Sequence, residues 1–496
     1  MKMTRILLCS ASLMTLSACG MPYSGLMGDG FSQMEIPSLW RAPVAQDAQA
    51  KAAEEKQVKA EQAETAPQDL APVQDGNGVI TALDRDALQG WWKGFHDPVL
   101  DALVSKALSE SPDRAIAAAR IAEARGLRRT ARAGLMPNIT GSISEGREDS
   151  GLYGANDVSN AGFDASFEID VFGKNRLTSK ARDANVQALV ASYHDVTVTL
   201  IAEISRVYAE YRAYDKQVHI AQDNLKLQQE TLSLIKTQQS LGEAPQLDVE
   251  RAENLVNTTK ASIVEFERLS DASRLSLGAL VGVMPAQVQH MLTPNKQDNV
   301  LAAVPGADIT PLLLMPADVI AQRPDVQAAW AELVSQGALA DAKAAEYFPS
   351  ITLSGFFGVA ESALMSSTTI WDVAIGAAVS VLDFGRLEGQ VDAERAREKQ
   401  AFESYRGVVL SAVAEVETAL SDYAHIHTRR EALADAFINA DRALSLSRDL
   451  YNEGEVSFLD VLDAQRTRNE ANSALVTAEL AQAQSLIRLY KAFGIY

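Results

Sequence analysis

The sequence predicts a mainly α-helical protein with a membrane-crossing β portion, internally duplicated, whose strands close a barrel only when several copies of the chain share it. Three observations predict this. The first is a repeat. Phe172-Gly173-Lys174 returns as Phe384-Gly385-Arg386, and 384 less 172 gives an offset of 212 positions. The same offset carries Ser111-Pro112-Asp113 onto Arg323-Pro324-Asp325, Pro137-Asn138-Ile139 onto Pro349-Ser350-Ile351, and Leu247-Asp248-Val249 onto Leu459-Asp460-Val461. Each half is therefore one supersecondary unit, used twice.

The second observation is a heptad seam. Leu200, Ile204, Val207, Tyr211, Tyr214, Val218, Ala221, Leu225, Gln228, Leu232 and Ile235 alternate four and three residues apart, with Gln228 the polar exception. A 3.5-residue period sustained over this length predicts coiled-coil packing rather than a globular helix. The second copy keeps the seam through Val416, Ala419, Tyr423, Ile426, Leu433, Phe437, Ala440 and Leu444, with Arg430 interrupting it. An unbroken helix over residues 174–240 would be roughly 100 Å long at about 1.5 Å per residue, where about 11–12 residues is ordinary.

The third observation is a period of two between the helices. Phe163, Ala165, Phe167, Ile169 and Val171 alternate with Asp164, Ser166, Glu168 and Asp170, and Ile139, Gly141 and Ile143 alternate with Thr140, Ser142 and Ser144. The second copy offers Ile351, Leu353, Gly355, Phe357 and Val359, then Trp371, Val373, Ile375, Ala377, Val379 and Val381. These read as strands over about 138–147, 162–172, 350–359 and 371–382, joined by Gly- and Ser-rich loops near 146–161 and 361–369. About ten residues, apolar on one face, is what a tilted membrane strand needs. Two hairpins of a soluble sheet are the alternative, but nothing else in the chain offers that apolar face a partner. Four strands cannot close a barrel, and open edges are not tolerated in lipid, so the chain must oligomerise.

The ends bound the compartment. Lys2 and Arg5, the apolar stretch over residues 6–16, and Leu16-Ser17-Ala18-Cys19 read as an export signal over residues 1–18. Small residues before Cys19, with Gly20 after it, look like a bacterial lipobox; the alternative is an ordinary signal that happens to end beside a cysteine. The other cysteine, Cys9, leaves with the signal, so the mature chain has no intrachain disulfide. No apolar run long enough for a membrane helix follows. Residues 19–89 form a linker, and 45–66, rich in Ala, Glu, Gln and Lys, cannot supply a core. Ordered sequence begins at Trp91-Trp92-Lys93-Gly94-Phe95-His96-Asp97-Pro98, where Asp97 is placed to cap a helix opened by Pro98. The first repeat is drawn over 90–284, a linker over 285–310, and the second repeat over 311–496.

Candidate chemistry is thin. The net charge of −20 argues against a nucleic-acid partner. His425 and His427 do not share a ligand on a helix at that spacing. No HExxH, CxxC, Walker A or Gly-x-Ser-x-Gly pattern is present, so no enzymatic activity, cofactor or metal is expected beyond a covalent lipid on Cys19.

Several motifs in order then resemble the TolC-type outer-membrane efflux proteins, in particular the NodT-like lipoprotein channels of tripartite multidrug pumps. They are the lipobox, the Trp91-Trp92 to Pro98 opening, Ala133-Gly134-Leu135-Met136-Pro137-Asn138-Ile139, Glu168-Ile169-Asp170-Val171-Phe172-Gly173-Lys174 and Arg323-Pro324-Asp325-Val326. Leu382-Asp383-Phe384-Gly385-Arg386 and Phe458-Leu459-Asp460-Val461-Leu462-Asp463-Ala464-Gln465 complete the set. The resemblance implies a homotrimer in the outer membrane of a Gram-negative bacterium. Twelve strands would share one transmembrane β-barrel and the long helices would form an α-helical barrel in the periplasm. It also implies a periplasmic adaptor and an inner-membrane pump as partners, with this chain the passive exit channel for drugs and other toxic small molecules.

The resemblance further places adaptor-docking tips at Gly242, Glu243, Ala244 and Pro245 and at Gly454, Glu455, Val456 and Ser457. It implies a periplasmic gate in which Leu459 forms an apolar ring and Asp463 an acidic ring, with Asp460 a weaker candidate. Arg251 is the repeat mate of Asp463, which suggests an Arg251–Asp463 pair holding the tip shut. The competing expectation is that each charge takes a partner on its own helix. Two other functions stay open on the sequence: an exit duct for type I protein secretion, and a coiled-coil envelope lipoprotein.

Overall fold

The computed structural model describes residues 90–149, 155–292, 316–362 and 365–495; Cys19 and the linker after it lie outside them. A short 3-10 turn, Trp91–Phe95, precedes α1 (Pro98–Glu110) and α2 (Pro112–Ala133). Then come β1 (Asn138–Asp149), β2 (Ala155–Ile169), the long α3 (Lys174–Ser240), α4 (Gln246–Val281) and the short α5 (Pro285–Leu292). The second repeat runs through α6 (Pro316–Gln322), α7 (Pro324–Ala344), β3 (Ser350–Ser362), β4 (Met365–Ala378), α8 (Arg386–Asn452) and α9 (Phe458–Ala492). The helices α3 and α8 are repeat mates of 67 residues each, about 100 Å at 1.5 Å per residue. Each starts after a glycine held at positive φ, Gly173 and Gly385. Among the described residues no single helix is long and apolar enough to cross a membrane.

The strands form one antiparallel sheet in the order β1-β2-β3-β4. Its register puts the alternating apolar residues on one face: Gly141, Phe163, Phe357 and Trp371 lie in one row across all four strands, and Ile139, Ala165, Gly355 and Val373 in another. Ile139, Ile143, Phe163, Phe357, Trp371, Val373 and Ile375 all point outward, uncovered by the chain. In water each would forgo about 1.5–3 kcal/mol of burial; in a bilayer none is lost. The opposite face carries the row Thr140, Asp164, Phe356 and Asp372, polar except for one ring.

The strands differ from the sequence expectation at both ends. They run 12 to 15 residues, and the segments read as loops near 146–161 and 361–369 are mostly strand. The ladder continues because pairing outlasts the apolar pattern, with Arg147 and Asp157 meeting at 3.7 Å in its polar upper part. At the lower end β2 stops at Ile169 rather than running to Phe172. There the Asp170 carboxylate accepts hydrogen bonds from the N–H groups of Asn175 (3.1 Å) and Arg176 (2.9 Å), turning the chain into α3. Phe172 leaves the sheet to stack on Phe348 at 4.7 Å. β4 likewise ends at Ala378, short of the expected 382.

The main core lies midway along the long helices. There Leu100, Leu103, Ile204, Tyr208, Leu277 and Leu489 are buried among both repeats. The opening cluster locks onto it. Trp91 stacks on Tyr490 at 4.9 Å and its Nε1 donates to the Ile495 carbonyl at 3.2 Å. Asp97, 1% exposed, caps α1 by accepting from the Val99 N–H at 2.9 Å. Its other oxygen accepts from the Tyr208 hydroxyl (2.8 Å) and from Arg212 (3.2 Å), joining the N-terminal segment to α3. The repeats close alike: Gly282 and Gly494 have φ of 81° and 68°, and a Cβ on either would meet its repeat's Pro112 or Pro324 within 3.0 Å.

Removing Asp97 takes away a cap and the buried partner of Arg212 together. Asp97→Ala is expected to destabilise the chain by about 3–5 kcal/mol, the range for breaking a buried pair. Thermal unfolding of the purified protein should show Asp97→Asn, which keeps the cap, in between.

Candidate periplasmic gate and docking tips

At the end away from the sheet each repeat turns back on itself. α3 ends where Gly242, at φ 81°, lets the Glu243 N–H donate to the Gln238 carbonyl at 2.9 Å. α8 ends in the same way, with Gly454 at φ 77° and the Glu455 N–H donating to Leu450 at 2.9 Å. Such left-handed termini satisfy the last carbonyls of a helix. The restarts differ. α4 begins after Pro245 without a side-chain cap, whereas α9 begins at a full capping box between Ser457 and Asp460.

Asp460 is therefore engaged locally. Its carboxylate accepts from the Ser457 hydroxyl at 2.6 Å and from the Ser457 N–H at 2.9 Å. The hydroxyl, then the N–H, hold this carboxyl below the usual carboxylate range. Phe458, Val461 and Leu462 of α9 are buried, in a small apolar cluster with Ile235, Val249, Ala252 and Leu444. Leu459 and Asp463 lie on the other, exposed side of α9, along with Arg466.

The expected Arg251–Asp463 pair does not form within the chain. Asp463 takes Arg466 at 2.8 Å, and Arg251 takes Asp248 at 3.3 Å, each one turn away on its own helix. A partner three residues along a helix is already within reach, so neither charge has to cross to the other hairpin. The tip residues Gly242, Glu243, Gly454 and Glu455 are exposed, while Ala244 and Val456 are half-buried.

At the tip a neutral contact crosses between the hairpins, and sequence reasoning missed it. The Tyr451 hydroxyl, at the foot of α8, bonds Gln238 Oε1 of α3 at 3.1 Å. Tyr451 also packs against Phe458, with ring centroids 5.8 Å apart. Tyr451 and Gln238 are 213 residues apart, so nothing in either local sequence announces the contact. Higher up, Arg468 of α9 reaches Asn224 of α3 (2.9 Å) and Asp441 of α8 (3.1 Å). One turn from Asn224 on α3, the seam residue Gln228 is buried without a hydrogen-bond partner for either amide atom. Among the described residues no cluster of His, Cys, Asp and Glu is arranged to hold a metal.

Comparison with known proteins agrees with this architecture. The family described as "Outer membrane efflux protein" matches residues 103–283 and 315–495, one match per repeat. Similar curated proteins include the pyoverdine export outer membrane protein OpmQ of Pseudomonas aeruginosa, 28% identical over 83% of this chain and 88% of that one. The cation efflux system protein CusC of Escherichia coli is 27% identical over 84% and 90%. Nodulation protein T of Rhizobium leguminosarum is 28% identical over 86% and 91%. Among solved structures, the outer-membrane channel OprN superposes with a TM-score of 0.75 at 27% identity, covering 86% of this chain and 99% of that one. The open-state MtrE channel of Neisseria gonorrhoeae gives 0.71 at 25%, covering 86% and 97%. Matched through both repeats, the chain belongs to the outer membrane efflux protein family and is an outer-membrane component of an efflux system.

Proposed function

We propose that three copies of this chain form one conduit. Through it, small toxic molecules delivered by an inner-membrane pump and a periplasmic adaptor pass to the exterior. The observation that carries this reading is the joining of a sheet with an uncovered apolar face and two open edges to helices about 100 Å long. Four strands cannot close a barrel, and the smallest bacterial barrels have about eight. Three copies supply twelve, enough for a water-filled lumen faced by the polar rows of Asp164 and Asp372. The chain supplies a pathway and no chemistry: it is not an enzyme and needs no cofactor. Transport is driven by the pump.

The tips dock the adaptor through Gly242 to Pro245 and Gly454 to Ser457. Leu459 and Asp463, on the exposed stripe of α9, ring the aperture, while Asp460 fixes the start of that helix and Arg251 braces α4 through Asp248. Tyr451 and Gln238 hold the two hairpins of one chain together at this level. The relatives are named for pyoverdine export, for cation efflux or, in the TtgF protein of Pseudomonas putida, for toluene efflux. Cargo is therefore set by the pump, and this chain takes small molecules broadly. A lipid on Cys19 anchors the N-terminus in the outer membrane.

Cells lacking the gene are expected to accumulate dyes and antibiotics, with accumulation restored by the wild-type copy. No change across a broad panel, in cells without a second such channel, would overturn the small-molecule reading. In planar bilayers Asp463→Ala should weaken cation preference and alter conductance; an unchanged channel would remove Asp463 from the gate. Cys19→Ser should abolish incorporation of labelled palmitate, and labelling that persists would refute the anchor.

A further inference from the structure

The two repeats treat one place on their long helices differently. In the first, Arg114 of α2 lies over the ring of Tyr193 on α3, its guanidinium 5.1 Å from the ring centre. It donates there to the Tyr193 hydroxyl, to the Leu108 carbonyl and, at 3.2 Å, to the Thr197 hydroxyl. In the second repeat the offset of 212, as from 172 to 384, carries Arg114 onto Val326 of α7 and Tyr193 onto Tyr405 of α8. The ring is kept, and the arginine over it is replaced by a short apolar side chain.

Space takes the arginine's place. A cavity of about 590 Å³ opens between α3 and α7, lined also by Ala321 of α6 and by Tyr405. Val190, Val326 and Trp330 supply apolar lining, and His194 and Gln327 are among its polar residues. Among the described residues no Lys, Arg, Asp or Glu lines it. Trp330 stands where the first repeat has Ala118, and its ring centre is 5.4 Å from that of Tyr405, the planes tilted by 59°. Two aromatic rings therefore border one largely apolar space, of a size that takes a drug-like molecule, about 300–1,000 Å³.

The surroundings favour positive charge. Asp195 and Asp325, which adjoin His194 and Val326 in the chain, act on each other through space. Burial, then the Asp325 carboxylate, raise the Asp195 carboxyl above its usual range. Glu415 is a third carboxylate nearby, against the two cations Arg323 and Lys491. Arg323 is already bonded to Asp325 and Glu415, at 2.7 Å each.

We propose that this cavity binds an organic cation with a planar apolar body, its charge against the faces of Tyr405 and Trp330. It would sit where the first repeat seats its own guanidinium. Attraction between a cation and an aromatic face grows when water is excluded, as the apolar lining arranges. The site is remote from the gate: Val190 lies 50 residues before the end of α3 at Ser240, about 75 Å of helix. It stands apart from the conduit reading, since binding is measured without transport.

Full-length protein in mild detergent, titrated into ethidium with binding read by fluorescence polarisation, tests the site. One saturable site per chain is expected. Val326→Arg supplies the arginine of the first repeat and should weaken binding about tenfold or more. Trp330→Ala supplies the alanine of the first repeat and should cost about tenfold, which is about 1.4 kcal/mol and within the range of a desolvated cation on a ring. The planar anion anilinonaphthalene sulfonate should not displace ethidium. Absence of saturable binding to wild-type protein would overturn the site. So would displacement by the sulfonate, or undiminished binding by either variant in protein that sediments like wild type.

Discussion

A sheet in lipid has no water to satisfy the N–H and C=O groups along its edges. β1 and β4 are the two edges of this sheet, and no other strand among the described residues pairs with them. This constraint governs the rest of the molecule. It forces copies to share strands. Below the membrane α7 packs extensively on both α3 and α8, whereas its repeat mate α2 packs extensively on α3 alone.

Stability is distributed unevenly along the length. Midway down, an extended apolar core gathers helices from both repeats, and Asp97, Tyr208 and Arg212 pin the N-terminal segment to it. At the tip the described residues form a small apolar cluster, joined across the hairpins by the Tyr451–Gln238 hydrogen bond, while Arg251 and Asp463 are paired within their own helices. Exposed pairs of that kind contribute little, about 0.2–0.5 kcal/mol each. A region held so lightly opens at less cost than the core, which suits the gate proposed there.

Much of this was legible in the sequence, for identifiable reasons. The lower ends of the long helices could be read because a glycine break, at Gly242 and at Gly454, follows each heptad seam; both glycines have positive φ in the structure. The faces of the strands followed from their period of two, but their ends did not. The ladder outlasts the apolar pattern at the polar hairpin tips, and β4 stops early because its continuation needs a partner strand. Asp97 was legible as a cap but not as the acceptor for Tyr208 and Arg212, which lie more than a hundred residues away. The Arg251–Asp463 pair is not made within the chain, because repeat mates occupy equivalent places, not adjacent ones, and Asp248 and Arg466 are nearer.

The central claim, that a lone chain is an incomplete channel, is tested most directly by native mass spectrometry of the protein extracted from outer membranes in mild detergent. The account predicts a species of three chain masses and little single-copy protein, because each copy leaves a strand edge at either side of its sheet. A folded single-copy species that still conducts ions in a bilayer would contradict it.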